Sequence, residues 1–289
     1  MDVPQKLSIY ALGPVQVFRG QQLLTEWAYL DSAELLFYLL QHTRKPNRKS
    51  GQEPVRPEDL HGKTREQIGL ELWPDASPQQ LSSKLKSRLY DLRRGLGDGE
   101  WVLFENGQYK FNYIRAYWFD VEIFEEQVAE GERLMSTSPA KAIACLQEAV
   151  QLYRGDFLAD LRQRRARKEQ RFDEEAEWAG REWYIAQQEA LQVVYQRALH
   201  KLGQLLFRAR SFEQAAEVYR LAAAKDDYDD EAHHGLILCL ALQGKRSQAL
   251  EQYRRLLKRR SDTSPAPEIV ELAERLKRGE ELASKPPAA

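Results

Sequence analysis

Two cysteines, Cys145 and Cys239, are all that the 289 residues contain. Two thiols cannot build a disulfide framework or a zinc cluster. So low a cysteine content fits a reducing, cytoplasmic compartment. No apolar run approaches the roughly 18 residues of a membrane span, so no membrane partner is expected. The opening MDVPQKLSIYALG has no basic stretch followed by a long apolar one, and no secretory signal is expected. An excess of one charge is also missing, since 43 basic residues face 44 acidic ones. That balance excludes a uniformly basic nucleic-acid binder. Residues 1–116 hold 16 basic and 14 acidic side chains and the remainder 27 and 30, so any basic surface is local and N-terminal.

Catalytic signatures are missing as well. No H-E-x-x-H, C-x-x-C, G-x-S-x-G or glycine-rich phosphate loop occurs. The histidines at 42, 61, 200, 233 and 234 are scattered. His233 and His234 fall on one helix and read as packing or exposed residues, not as metal ligands. Asp156, in YRGDF, reads as a turn and cap residue. No catalytic residue, cofactor or metal is expected, and the chain is not read as an enzyme.

What is present begins with alternation. Leu7, Ile9 and Ala11 face one way, and Val15 and Val17 follow the turn Gly13-Pro14. Leu23 and Leu24 follow Gly20, and the whole reads as short antiparallel strands. Asp31-Ser32 caps a helix from Ala33 to Gln41. The stretch Thr43–Gly62 carries Pro46, Pro54 and Pro57 with Arg44, Lys45, Arg48 and Lys49, and reads as a long loop. Thr64 caps a short helix ending at Trp73-Pro74-Asp75, and Ser77-Pro78 opens the next, which stops at Gly97. Trp101–Phe104, Asn106-Gly107 and Tyr109–Phe111 then spell a β-hairpin. Helix, turn, helix and hairpin in that order describe a winged helix-turn-helix.

The helix Gln79–Leu96 matters most. At about 100° per residue, Leu81, Leu85, Leu89, Leu92 and Leu96 share an arc of about 80° and form a core stripe. Ser83, Lys86, Ser87, Tyr90 and Arg94 lie opposite, with Gln79, Gln80 and Lys84 near the start. Lys84, Lys86, Arg88, Arg93 and Arg94 outnumber the single acid, Asp91. An ordinary solvated amphipathic helix has the same periodicity. The preceding helix and turn and the following wing, with Asn106, Gln108 and Lys110 at its tip, favour DNA reading by this element. Cations and Tyr90 reach phosphates, while Gln, Ser and Lys reach base edges.

After Tyr117 the strand signals stop and helical periodicity takes over. Helices are expected over Val121–Leu134, Pro139–Tyr153, Gln170–Ala209, Phe212–Ala224, Glu231–Gln243, Ser247–Arg259 and Glu268–Lys277. FEQAAEVYR (Phe212–Arg220) aligns with RSQALEQYR (Arg246–Arg254) at an offset of 34 residues, the tetratricopeptide period. Ala215 and Ala249, Tyr219 and Tyr253 recur, and Gly203 precedes Ala215 where such repeats place a glycine. Pro139–Tyr153 has the same look without the register. Trp118, Trp178 and Trp183, with Tyr184 and Tyr195, either line a ligand groove or pack as core.

ELWPDASPQQLSSKLKSRLYDLRRGLG (Glu71–Gly97), with its hairpin, resembles the winged helix of response regulators, and of SARP-type bacterial transcriptional activators in particular. In that family a tetratricopeptide-like bacterial transcriptional activator domain follows. YWFDVEIFEE (Tyr117–Glu126), LQEAVQLYRGDFLADL (Leu146–Leu161) and DEAHHGLILCLALQGKRSQALEQYRRL (Asp230–Leu256) resemble its entry, signature and last repeat. The loop 43–62, the charged segment Arg162–Glu177 and the turn Ser261–Glu268 depart from the family pattern. The loop touches DNA or is a simple insertion, and the charged segment is a solvated helix or a docking site. No P-loop is present, so the large NTPase-bearing relatives are not matched, and no receiver domain precedes the winged helix, so aspartyl phosphorylation is not the expected control.

The resulting expectation is an α-rich chain with a small β component: a winged-helix domain over 1–116, an all-α tetratricopeptide-like domain over 117–280, and a disordered tail over 281–289. The resemblance implies a nucleoid-associated transcriptional activator. Its partners are double-stranded promoter DNA, RNA polymerase holoenzyme and, through the helical domain, a second copy in a homodimer or a signal. The competing reading is a tetratricopeptide scaffold whose N-terminal fold docks a protein without binding DNA.

Overall fold

The computed structural model describes residues 6–24, 30–43, 56, 60–161, 183–260 and 263–280. The charged segment, Trp178, most of the 44–59 loop and the tail from 281 lie outside them. The architecture is α-rich with a small β component. It packs as two compact units, Met1–Ile123 with Arg154–Leu191, and Phe124–Tyr153 with Gln192–Ala289.

In the first unit, β1 (Leu7–Tyr10), β2 (Gln16–Arg19) and β3 (Gln22–Leu23) form an antiparallel meander. A fourth strand, β7 (Tyr117–Phe119), lies parallel to β1 with Leu7 opposite Tyr117 and Ile9 opposite Phe119. Leu7, Ile9, Val17 and Phe119 are buried, as are Leu35, Leu36 and Leu39 of α1 (Leu30–His42). The strand signal therefore extends past residue 116, contrary to the sequence reading; three residues are too few to show alternation.

A second sheet runs β4 (Lys63–Thr64), β6 (Gln108–Phe111), β5 (Val102–Glu105). Between its strands lie α2 (Arg65–Leu72) and α3 (Pro78–Leu96). The segment after Arg154 returns to the first sheet. Leu158 N–H donates to Ala11 O at 2.8 Å, Gly13 N–H to Asp156 O at 3.1 Å, and Val15 N–H to the Asp160 carboxylate at 2.8 Å. This return, together with β7, is why the packing division does not coincide with a cut at 116.

The second unit takes in most of α4 (Asp120–Leu134), α5 (Pro139–Leu152), most of α6 (Ile185–Arg208), α7 (Phe212–Lys225), α8 (Asp230–Leu242), α9 (Arg246–Arg259) and α10 (Pro267–Arg278). Its packing explains the repeat. The Tyr219 ring lies against both Gly203 and Gly235, where an added Cβ would sit 2.7 Å from the ring. Ala215 and Ala249 are fully buried. Gly131 of α4 stands in the same relation to Leu146 of α5, with a Cβ 2.7 Å from its Cγ, so the pair α4–α5 packs by the same device. No helix among the described residues is long and apolar enough to cross a membrane.

Candidate nucleic-acid interface

Local chemistry fixes both helices of the helix-turn-helix. Thr64 and Gln67 form a capping box on α2: Thr64 Oγ1 accepts from Gln67 N–H, and Gln67 Oε1 accepts from Thr64 N–H at 2.9 Å. Ser77 and Gln80 repeat the device on α3, with Pro78 in the first turn and Gly97 in the left-handed conformation at the end, φ 73°. Each box satisfies amide groups that a helix start leaves open. The helices cross where Gly69 faces Leu81; a Cβ at Gly69 would overlap the leucine side chain.

The leucine stripe Leu81, Leu85, Leu89, Leu92 and Leu96 is buried, as its periodicity requires. Gln79, Gln80, Ser83, Lys86, Ser87 and Arg94 are exposed, and Tyr90 is 69% exposed. Lys84 is half-buried, its ammonium 5.3 Å from the centre of the Trp73 ring. Arg93 is also half-buried and donates to Val102 O at 3.0 Å, which ties α3 to the wing. Asp91, the one acid, points inward and is buried. The outer face of α3 is therefore polar and cationic along its whole length.

In the wing, Asn106 (φ 52°) and Gly107 (φ 73°) make a two-residue turn with both residues left-handed. Strand pairing then sets Glu105 opposite Gln108, Phe104 opposite Tyr109, Leu103 opposite Lys110 and Val102 opposite Phe111. Asn106 is exposed at the tip. Gln108 is half-buried, its Oε1 accepting from Gly62 N–H at 3.1 Å. Lys110 corrects the sequence reading. It is 1% exposed, its Nζ 3.2 Å from Glu105 Oε2, and Gly62 passes over it so closely that a Cβ there would lie 2.7 Å from Lys110 Cγ. Strand alternation, which counting from the turn overlooked, directs Lys110 away from the open side of the hairpin.

That open side carries residues the sequence reading missed. Phe104 is 57% exposed, with its ring centre 4.6 Å from that of Tyr109. Together with Leu85 and Leu89 they wall a groove of about 310 Å³ between α3 and the wing, rimmed by Arg65, Ser82, Lys86 and Arg93. The Asn-Gly register alone pairs Phe104 with Tyr109, so the sequence held this signal. A second groove of about 500 Å³ lies along the other side of Lys86 and Arg93, bounded by Tyr90, Arg94 and the Gly97–Gly99 turn. Two cation-lined grooves thus run beside the exposed ridge of α3.

Of the aromatic residues read as a ligand groove or as core, Trp178 lies outside the described residues, Trp183 and Tyr184 meet edge to face at 5.7 Å, and Trp118 and Tyr195 pack elsewhere. Trp118 lies 4.7 Å from Tyr10, Trp183 packs 5.3 Å from Tyr38 with its indole N–H on Glu34, and Tyr195 stacks on Tyr153 at 4.0 Å. His200, which carried no sequence signal, sits between Asp229 and Glu231.

The profile of the bacterial transcriptional activator domain matches residues 119–277. A solved structure of EmbR from Mycobacterium tuberculosis, in complex with a low affinity phosphopeptide, is similar at TM-score 0.67 and 18% identity. The match covers 97% of this chain and 67% of EmbR. No curated protein sequence matches. The profile spans more than half of the residues, so the chain belongs to the bacterial transcriptional activator domain family, and it shares its fold with EmbR.

Proposed function

We propose that this chain is a sequence-specific DNA-binding transcriptional activator whose helix α3 enters the major groove. The observation that carries the reading is the outer face of α3: exposed Gln79, Gln80, Ser83, Lys86, Ser87, Tyr90 and Arg94 on a helix whose leucines are all turned inward. Gln79, Gln80, Ser83 and Ser87 supply donors and acceptors for base edges; Lys84, Lys86, Tyr90 and Arg94 supply phosphate contacts. Asn106 and Gln108 place the wing on the adjoining backbone. Lys110 takes no part in binding.

Residues 1–116, completed by β7, read DNA. The helical part, 117–280, contacts RNA polymerase and joins two copies into a homodimer on direct-repeat operators, and the protein acts at the nucleoid. The family membership supports activation, and the tetratricopeptide-like stacking of α6 to α10 supports a protein-binding role for the helical part.

The test is selection from a random-sequence duplex pool with the full chain, followed by salt titration. A preferred sequence is expected to emerge. Lys86→Ala and Arg94→Ala together should abolish its selective binding while the protein melts as before. Each lost phosphate contact should flatten the salt slope by about one unit. A folded double variant that binds as the parent does overturns the assignment.

A further inference from the structure

The groove between α3 and the wing has a chemistry that phosphate binding does not require. Its walls are apolar, with Leu85 and Leu89 from α3 and Phe104 and Tyr109 from the wing. Phe104 stays 57% exposed at the outer end of the stripe that continues inward to buried Val102 and Phe111. Arg65 and Lys86 stand at the rim. Arg65 is held by Glu66 at 2.8 Å, an exposed ion pair of the kind a stronger anion displaces at little cost. A free inorganic anion would use the rim and leave the walls bare. An apolar peptide would use the walls and leave two cations idle. The backbone of DNA is apolar and anionic in alternation: a deoxyribose carries its C2′ methylene between two phosphates.

We infer that this groove seats one deoxyribose of the bound duplex, with Phe104 packed on its C2′ edge and Arg65 and Lys86 on the flanking phosphates. The inference rests on the DNA-binding reading above and adds a requirement that base sequence does not express. A ribose at that position presses its 2′-hydroxyl against a phenyl ring that offers no hydrogen bond, and an unsatisfied hydroxyl is costly to bury. The groove therefore tests the sugar, and Phe104 performs the test.

The experiment uses the full chain and the duplex that the pool selection yields, with a single ribonucleotide walked along each strand. The parent protein is expected to show one position, or one per half-site, where the ribonucleotide lowers affinity roughly tenfold. Phe104→Ala should lower affinity for the all-DNA duplex roughly tenfold, down to the level of the ribonucleotide duplex, leave the salt slope unchanged because no charge is lost, and so erase the ribonucleotide penalty. Phe104→Leu, apolar and without a hydrogen-bonding group, should restore much of both. Arg65→Ala should flatten the salt slope by about one unit. Melting temperatures confirm that each variant is folded. If Phe104→Ala binds as tightly as the parent, or if it keeps the ribonucleotide penalty, the inference is overturned while the DNA-binding reading stands. If the parent selects no duplex at all, both fall together.

Discussion

The imidazole of His200, on α6, lies 2.7 Å through Nε2 from the carboxylate of Asp229, the residue that caps α8. Its other nitrogen lies 3.1 Å from Glu231. Gln196 and Gln204 hold the same two carboxylates, and Asp229 also accepts from Ala232 N–H at 2.9 Å. Burial alone would pull the histidine pKa down, but the hydrogen bonds and charges of Asp229 and Glu231 outweigh it and raise the pKa to about 9. A group whose folded pKa is raised contributes stability that is complete below its unfolded value, about 6.5, and is lost as pH climbs through the folded one. As far as His200 is concerned, the helical part should therefore be most stable below about pH 6.5, lose stability steadily from there to about pH 9, and have lost nearly all of this contribution by about pH 9.5. His200→Gln should cost about 3 kcal/mol at neutral pH by leaving two carboxylates without their cation. The difference between parent and variant should shrink as pH rises from about 6.5 to about 9. Urea melts at four pH values measure this; a constant difference would contradict it.

Leu85 and Tyr90 sit one and a half turns apart on α3 and should separate stability from binding. Leu85 is 1% exposed and Leu89 is buried beside it. Either one changed to alanine should cost roughly 2–5 kcal/mol in denaturant melts. Tyr90→Ala should stay within about 0.5 kcal/mol of the parent, since the side chain is largely exposed, yet lose affinity for duplex DNA. Equal melting of all three variants would mean that α3 is turned the other way.

Lys110 should behave as a core residue of the wing. Lys110→Glu places a second carboxylate beside Glu105 in a buried position. Loss of roughly 3–5 kcal/mol is expected, with DNA affinity lost only as folding is lost. Lys110→Met keeps the aliphatic stem and should bind DNA like the parent. A folded Lys110→Met protein with sharply reduced affinity would restore Lys110 to the interface.

These cases mark what the sequence made legible. Ser77-Pro78, Gly97 and Asn106-Gly107 act on neighbouring backbone, so their consequences lie within a few residues and can be read there. The leucine stripe of α3 is legible for the same reason. The 34-residue spacing of Ala215 and Ala249 is a longer-range signal that survives because it repeats. The burial of Lys110 is not legible because it depends on Gly62, which stands just before a strand of two residues with no pattern of its own. His200 was passed over because its partners enter from another helix, 29 and 31 positions on. Asp120 is the extreme case. It is fully buried, and its carboxylate accepts from the amides of Ala11, at 2.9 Å, and Leu12, at 3.0 Å, across more than a hundred residues of chain.

Asp120 also decides where the protein can be cut. Burial pushes its carboxyl up to about 6 against the pull of the Leu12 and Ala11 amides and the Arg154 guanidinium, 3.5 Å away. A fragment ending at 116 loses β7, Asp120 and the returning segment at once. It leaves the Ala11 and Leu12 amides of a buried strand end without that acceptor, at a cost of about 1–3 kcal/mol each. A fragment ending at 123 keeps β7 and Asp120 and should melt higher. Both should retain weak duplex binding if α3 and the wing read DNA, and neither should activate transcription if the helical part makes the productive contacts. Ala249→Trp in the full chain tests the same division from the other side. Ala249 is fully buried in the stacked repeats, and a bulky side chain there overpacks the helix crossing by roughly 1–3 kcal/mol or more. Duplex binding should persist in that variant while reporter activation fails. Activation by either fragment at the level of the full chain would show that the helical part is not the activation module.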